Sequence, residues 1–384
     1  MKKKLLTNCR LVLPDAVAEN SSLLVEDGFI SAIEPNGTEK TVILDLHGAA
    51  LMPGMIDLHC DALEKEVEPR PNVLFPLEFA IAQADRRNAQ AGITTVFHAL
   101  SFAHGELGVR NRNMAADIAR QVHIYGQVMV DNRIHGRYEI TDEESLPILS
   151  DLIEEGTLGL ISMMDHTPGQ GQFKDLAAYR DYLGRTYAKS ADEAEALIQK
   201  KFDSAQGTCE RIKILAKKAK KAGIRIASHD DDSPERVQTM SALGGTVSEF
   251  PVNRRAAQTA CDLGLWTVFG APNILRGSSQ SGAMKALEAV QHGVARCLCS
   301  DYHPGALMAA VFSLPRLAGI KLANAVRLVT ANPALAAGLE DRGKIEVGKR
   351  ADLAAVNLRK GLPYVMHLWV QGSLTYCERH SNEE

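Results

Sequence analysis

Aromatic side chains are scarce: they make up 5% of the 384 residues, with only two tryptophans. That scarcity disfavours a base-stacking surface for single-stranded nucleic acid. Charge of one sign is also missing. Forty-three Lys+Arg against 47 Asp+Glu leave a formal charge of −4. No polyanion-coating surface is expected, so nucleic acid is not an expected partner, although a local basic pocket is compatible with this balance. No apolar run reaches the roughly 18–20 residues that a membrane helix needs, so no membrane partner is expected. The opening stretch begins like a signal n-region, but Thr7, Asn8 and Arg10 interrupt it at once. Neither a signal peptide nor a lipid-attachment site is expected. The seven cysteines (9, 60, 209, 261, 297, 299 and 377) are odd in number and contain no C-x-x-C. This excludes a disulfide framework and a zinc-ribbon spacing, and the expected location is a reducing cytoplasm. Cys297 and Cys299, two apart in an apolar stretch, are expected to be small packing residues.

Both ends of the chain read as β-structure. Short runs at 11–14, 22–33 and 41–46 show no helical period, and Glu26-Asp27-Gly28 is a hairpin signal. Runs at 352–358, 363–372 and 373–377 read the same way. Residues 1–51 plus 346–384 are therefore expected to form one small β-sandwich domain from both termini. Between them, residues 52–345 alternate strand and helix. Eight apolar strand candidates lie at 54–59, 93–100, 123–130, 157–164, 223–229, 245–250, 264–270 and 295–300. The intervening stretches carry apolar residues at three- and four-residue spacing, such as Leu146, Leu149, Leu152 and Ile153. Eight such units across about 250 residues predict an α/β fold, a (β/α)8 TIM-like barrel. An open doubly wound sheet is the alternative, but no G-x-G-x-x-G follows the first strand. The lysine cluster at 213, 217, 218, 220 and 221 reads as a solvated helix face.

Barrels of this kind place their chemistry at the C-terminal ends of the strands. Ionisable residues crowd these ends. Strand one ends in His59-Cys60-Asp61, strand two near His98 and strand three near Asp131. Strand four ends in Asp165-His166, strand five in His229-Asp230-Asp231-Asp232, strand six near Glu249 and strand eight in Ser300-Asp301. Imidazole and carboxylate together suit a divalent metal ion. His59 and Asp61, two apart on extended chain, can grip one ion.

Pro53-Gly54-Met55-Ile56-Asp57-Leu58-His59-Cys60-Asp61 resembles the first-strand P-G-x-I-D-x-H-x-H motif of the amidohydrolase superfamily. The runs Gly343–Leu353 and Thr330-Ala331-Asn332-Pro333-Ala334 are also similar to that family, so the resemblance spans essentially the whole chain. It implies a (β/α)8 barrel, one or two metals and a β-sandwich shared by both termini. Three positions depart from the pattern. Asp61 replaces the second histidine, Glu249 replaces the sixth-strand histidine, and Asp165 with His166 stands where a bridging Lys or Glu is usual. The donor set is thereby richer in carboxylate oxygen.

Four segments together, His59–Pro71, Met164–Gln170, Ser228–Asp232 and Ser300–Pro304, resemble the phosphonate-metabolism branch of the superfamily. That resemblance implies a diphosphohydrolase converting α-D-ribose 1-methylphosphonate 5-triphosphate to the 5-phosphate and pyrophosphate. The implied metal ligands are His59, Asp61, Asp165 or His166, His229 and Glu249, with Asp301 as general base. Zinc is the expected ion, and the same donors accept manganese or magnesium, one or two per chain. The small-molecule partner is a phosphorylated sugar carrying several negative charges, so basic residues in the strand-end loops are required. The candidates are Arg110, Arg112, Arg133, Arg137, Lys174, Arg254 with its neighbour Arg255, and Arg276, since a planar guanidinium suits phosphate. Gly277–Gly282, just before a helix, offers backbone N–H groups as a weaker phosphate site. Two other readings stay open: C–N bond hydrolysis, as in a deacetylase or cyclic amidase, and a scaffold that has lost its metal. The oligomeric state is left open, with the β-domain or a barrel flank as the place for a homodimer contact.

Overall fold

The structure is a computed structural model that describes residues 3–35, 41–103, 108–167, 176–177, 180, 184, 190–204, 206–279 and 282–378. The N-terminal strands are β1 (Lys3–Val12), β2 (Val17–Glu26), β3 (Phe29–Ile33), β4 (Val42–Asp45) and β5 (Ala50–Pro53). The central strands are β6 (Met55–Cys60), β7 (Ile93–Phe102), β8 (Asp131–Glu139), β9 (Leu158–Met164), β10 (Arg225–His229), β11 (Val247–Glu249), β12 (Trp266–Gly270) and β13 (Cys297–Cys299). The chain ends with β14 (Leu353–Arg359), β15 (Leu362–Val370) and β16 (Ser373–Cys377).

Strands β6 to β13 pair in sequence order, each parallel to its neighbour. The ring closes through main-chain bonds just beyond the ends of β6 and β13. Asp301 N–H donates to His59 O at 3.0 Å, and Asp61 N–H donates to Asp301 O at 2.9 Å. Ser300 N–H also donates to the buried Asp57 carboxylate at 3.0 Å. The (β/α)8 TIM-like barrel is therefore present. Its helices follow from amphipathic patterning: in Thr208–Lys221, Ile212, Leu215, Ala216 and Ala219 are buried, while Lys213, Lys217, Lys220 and Lys221 face water. Among the described residues, no helix is long and apolar enough to cross a membrane.

Both termini build the second sheet, in the order β16-β15-β14-β5-β1-β2-β3 with β4 on β1. It encloses its own core, including Leu11, Leu23, Ile30, Leu353 and Trp369. The β2–β3 hairpin turns at Asp27 (φ 51°) and Gly28 (φ 90°), the two positive-φ positions of a type I′ turn. Gly54 is the joint between sheet and barrel. A Cβ there would lie 2.2 Å from Thr94 Cγ2, so only glycine lets β5 run directly into β6.

The third barrel strand corrects the sequence reading. Residues 123–130 are not a strand: His123–Tyr125 close the helix Arg112–Tyr125, and the strand is Asp131–Glu139. The apolar signal misled because the inward stripe of β8 is Arg133, His135, Arg137 and Glu139, with no hydrophobic residue. Asp131 consequently starts the strand and lies at the opposite end of the barrel. There, buried Arg342 donates to Asp131 at 2.7 Å and to Thr95 Oγ1 at 3.0 Å, and lies 3.8 Å from Asp352, just ahead of β14. This arginine links the barrel floor to the terminal sheet. Arg342→Ala leaves Asp131 to Arg133 alone and Asp352 to Arg350 alone, and is expected to cost about 2 kcal/mol, measured by urea unfolding.

Cys297 and Cys299 are fully buried beside Leu160, Ala227, Val247 and Val268 in the barrel interior. Burial pushes the Cys9 thiol up to about 12. Only Cys209 and Cys377 are exposed. Titration of the native protein with a thiol-specific disulfide reagent is expected to find two fast thiols and one slower, from half-buried Cys261; more than three would show that the interior opens readily.

Candidate metal centre

The inward stripe of several strands is apolar at depth and titratable at the mouth. Ala227 precedes His229 on β10, Val247 precedes Glu249 on β11, and Cys299 precedes Asp301 beyond β13. The first two pairs are two residues apart on extended chain, so packing of the lower residue aims the upper one, whereas Asp301 lies just past the end of its strand. Glu249, fully buried, is the hub of this arrangement. Its Oε1 lies 3.1 Å from His59 Nδ1, and its Oε2 lies 3.4 Å from His229 Nδ1 and 3.7 Å from His135 Nε2. Burial works to raise the Glu249 carboxyl, but His59 and His229, each within hydrogen-bond reach of it, hold it well below the usual range. Burial works to lower His59, and Glu249 raises it; burial lowers His229.

His59, His229 and Glu249 each offer a ligand atom, all within 4.8 Å of one another. His135 adds a second indication. Its Nδ1 lies 3.0 Å from the Leu58 carbonyl, which only accepts, so Nδ1 carries the proton. Burial pushes this imidazole down to about 3, so it is neutral and Nε2 is a bare lone pair. That buried Nε2 finds no hydrogen-bond partner among the described residues and faces a carboxylate oxygen. Two acceptors facing each other in a dry interior are unfavourable, and a nearby cation relieves them. The donor set and this orphaned nitrogen fit a divalent metal ion. His135 was not among the residues singled out from the sequence; the period-2 polar stripe 133-135-137-139 is the signal that could have found it.

The other expected ligands are placed differently. Asp61 Oδ2 accepts from Arg110 at 2.9 Å and lies outside the mutual His59–His229–Glu249 group. Asp165 accepts from Arg236 at 3.2 Å and from Thr167 N–H at 3.0 Å. His166 Nδ1 lies 2.9 Å from Glu139, and its ring stands perpendicular to that of His229, centroids 6.4 Å apart. Burial works to raise Glu139, but Lys201 and His166 bring it down to about 2. Asp301 sits in the left-handed region (φ 55°), and burial together with Asp61 pushes its carboxyl up to about 6.

A cavity of about 510 Å³ opens over His59, His229 and Asp301, and Arg110, Arg137 and Arg276 line it. Arg137 is 9% exposed, and its buried Nε has no hydrogen-bond partner among the described residues. Ser278 and Ser279, from the glycine-serine loop, also line this cavity. Arg112 instead pairs with Asp142 and Glu144 and lines a separate cavity. Arg133 lies near the start of β8, bound to Asp131 at 3.0 Å and set over the Phe97 ring, so its nomination as a residue following strand three falls with that strand's bounds. Arg254 and Arg255 are exposed and absent from the cavity lining. Lys174 lies outside the described residues.

Residues 50–377 match the amidohydrolase family. The chain is 33% identical to the alpha-D-ribose 1-methylphosphonate 5-triphosphate diphosphatase of Escherichia coli K12, over 97% of this chain and 100% of the relative. Among solved structures, N-acetylglucosamine-6-phosphate deacetylase from Pasteurella multocida superposes with a TM-score of 0.66 at 15% identity, covering 97% of this chain and 99% of that one. The 5-methylcytosine deaminase of Klebsiella pneumoniae gives 0.66 at 14% identity, covering 99% of both chains. These two likenesses establish the fold alone. Elemental analysis is expected to find that His229→Ala and Glu249→Gln lose bound metal, whereas Asp165→Asn keeps it and only lowers thermal stability.

Proposed function

The chain belongs to the amidohydrolase family, and from that premise we propose that it is a metal-dependent diphosphatase. Its substrate is α-D-ribose 1-methylphosphonate 5-triphosphate, and its products are the 5-phosphate and pyrophosphate. The carrying observation is the set of three arginines, Arg110, Arg137 and Arg276, around one cavity beside the buried His59–His229–Glu249 cluster. Asp61 and Glu64 already offset Arg110, but Arg137 and Arg276 carry charge that a polyphosphate can meet and a neutral amide cannot. The full-length resemblance to the Escherichia coli diphosphatase supports the same reading.

His59, His229 and Glu249 would hold the ion, with zinc favoured and manganese or magnesium accepted. When bound, the ion supplies Lewis-acid polarisation of a phosphoryl oxygen and acidification of water. Asp301 takes the proton from the water that attacks the α-phosphorus. Its raised pKa suits proton transfer near neutrality. Arg137, partly unpaired and buried beside the cluster, stabilises charge that develops on the phosphoryl oxygens. Arg276, whose Nη1 lies 3.3 Å from the Tyr302 hydroxyl at the mouth, holds an outer anionic group of the substrate. Pyrophosphate then departs.

Incubating the metal-loaded protein with a panel of nucleoside and sugar triphosphates, read by phosphorus NMR, is expected to give pyrophosphate from the ribose substrate. Orthophosphate as the first product, or hydrolysis of neutral amides alone, would reject this reading. Asp301→Asn is expected to cut turnover by roughly 10²–10⁴-fold while metal content stays at the unmutated level.

A further inference from the structure

Three residues at the mouth of the barrel adopt the left-handed backbone: Asp230 (φ 54°) after β10, Phe250 (φ 50°) after β11 and Asp301 (φ 55°) beyond β13. Each is fastened to the neighbouring strand through its own N–H. Asp230 donates to Glu249 O at 3.0 Å, Phe250 to Val268 O at 2.9 Å and Asp301 to His59 O at 3.0 Å. Aspartate adopts this backbone with little strain, whereas a bulky side chain does not. Every other non-glycine residue with positive φ among the described residues is polar or charged; Phe250 is the apolar exception. It also precedes Pro251, whose ring pushes the preceding residue toward extended backbone. Strained residues of this kind persist only where their surroundings hold them, and they cluster at functional sites.

The contacts of the Phe250 ring supply a reason for the strain. Its centroid lies 5.0 Å from that of His59 and 5.3 Å from that of His229, with interplanar angles of 85° and 77°. The two imidazoles themselves are nearly parallel, at 22° and 5.7 Å. One phenyl ring therefore stands edge-to-face against both histidines of the cluster, in an arrangement that aromatic rings prefer. Glu249, the preceding residue, reaches the same two imidazoles through its carboxylate, with Oε1 toward His59 and Oε2 toward His229. Two adjacent residues thus engage the pair, one by charge and one by ring packing. The ring also borders the Asp301 side of the mouth. A Cβ built on Gly270 would lie 3.7 Å from Phe250 Cε1 and 3.6 Å from Asp301 Oδ2, so both groups face one small space. Phe250 lines the cavity over the cluster. Asparagine or glycine would suit the backbone here better but would leave the imidazoles without this packing.

We propose that Phe250 is a positioning residue of the metal centre. Its ring braces His59 and His229 and fixes the angle at which they meet a bound ion. The left-handed backbone is the strain that delivers the ring to that place. This role rests on the metal-ion reading of the cluster and not on the choice of substrate.

The test is titration of the metal-free protein with cobalt(II), read by the visible absorption of the bound ion, whose bands report the geometry of its ligands. Phe250→Asn suits the left-handed backbone and removes the ring. Phe250→Leu keeps apolar bulk without an aromatic face, and Phe250→Tyr keeps the ring. Phe250→Asn and Phe250→Leu are each expected to bind cobalt roughly 10–100-fold more weakly, with shifted bands. Phe250→Tyr is expected to match the unmutated protein in both affinity and bands. A merely structural role would lower the melting temperature of metal-free Phe250→Leu while leaving affinity and bands in place, and that result would overturn the proposal. Loss of the bands in Phe250→Tyr to the same degree as in Phe250→Leu would overturn it too. Should Phe250→Asn fail to fold, the comparison of Phe250→Leu with Phe250→Tyr decides by the same criteria. An unmutated protein that takes up no cobalt would sink the metal-ion reading itself. Intact uptake that none of the three substitutions alters would remove the brace alone and leave the metal centre standing.

Discussion

A carboxylate with no access to water is the constraint on which this site depends. Glu249 is fully buried and charged, so it needs partners that carry or attract positive charge. It finds them in imidazoles from three other strands: His59 on β6, His135 on β8 and His229 on β10. The upper rim of one half of the barrel is therefore tied to one side chain. The apolar layer below, with Leu160, Ala227, Val247 and Val268, supplies the rigidity that keeps those rings in place.

The cost of this design falls on β8. A strand whose inward residues are Arg133, His135, Arg137 and Glu139 adds no hydrophobic side chain to the interior. Each of these residues is matched to a different level of the barrel. Arg133 pairs with Asp131 near the floor, His135 meets Glu249, Arg137 reaches the cavity and Glu139 holds His166. One polar strand thus runs the full height of the barrel and touches every functional layer.

Much of this was legible beforehand, for physical reasons. Strands β6, β7, β9, β10 and β12 carry apolar runs that mark their positions, and the His59-x-Asp61 and His229 positions follow from where those runs stop. What could not be read was β8, because its polar stripe erased the hydrophobic signal and an amphipathic helix end, His123–Tyr125, imitated one. That single error placed Asp131 and Arg133 at the wrong end of the barrel. The partners of Asp61 and Asp165 were also beyond reach. Spacing along the chain tells where a carboxylate starts but not that Arg110 or Arg236, each over 45 residues away, will claim it.

The ring closure has a corollary for how such a protein can change. The seam between the first and last barrel strands is fastened by the peptide groups of His59, Asp61 and Asp301, not by their side chains. Whatever functional group is mounted at position 301 leaves the fastening untouched, provided that the residue tolerates a left-handed backbone. Asparagine and glycine do so readily. The scaffold can therefore exchange its reactive chemistry without unzipping, and new catalysts can be sought at this position at little risk to the architecture.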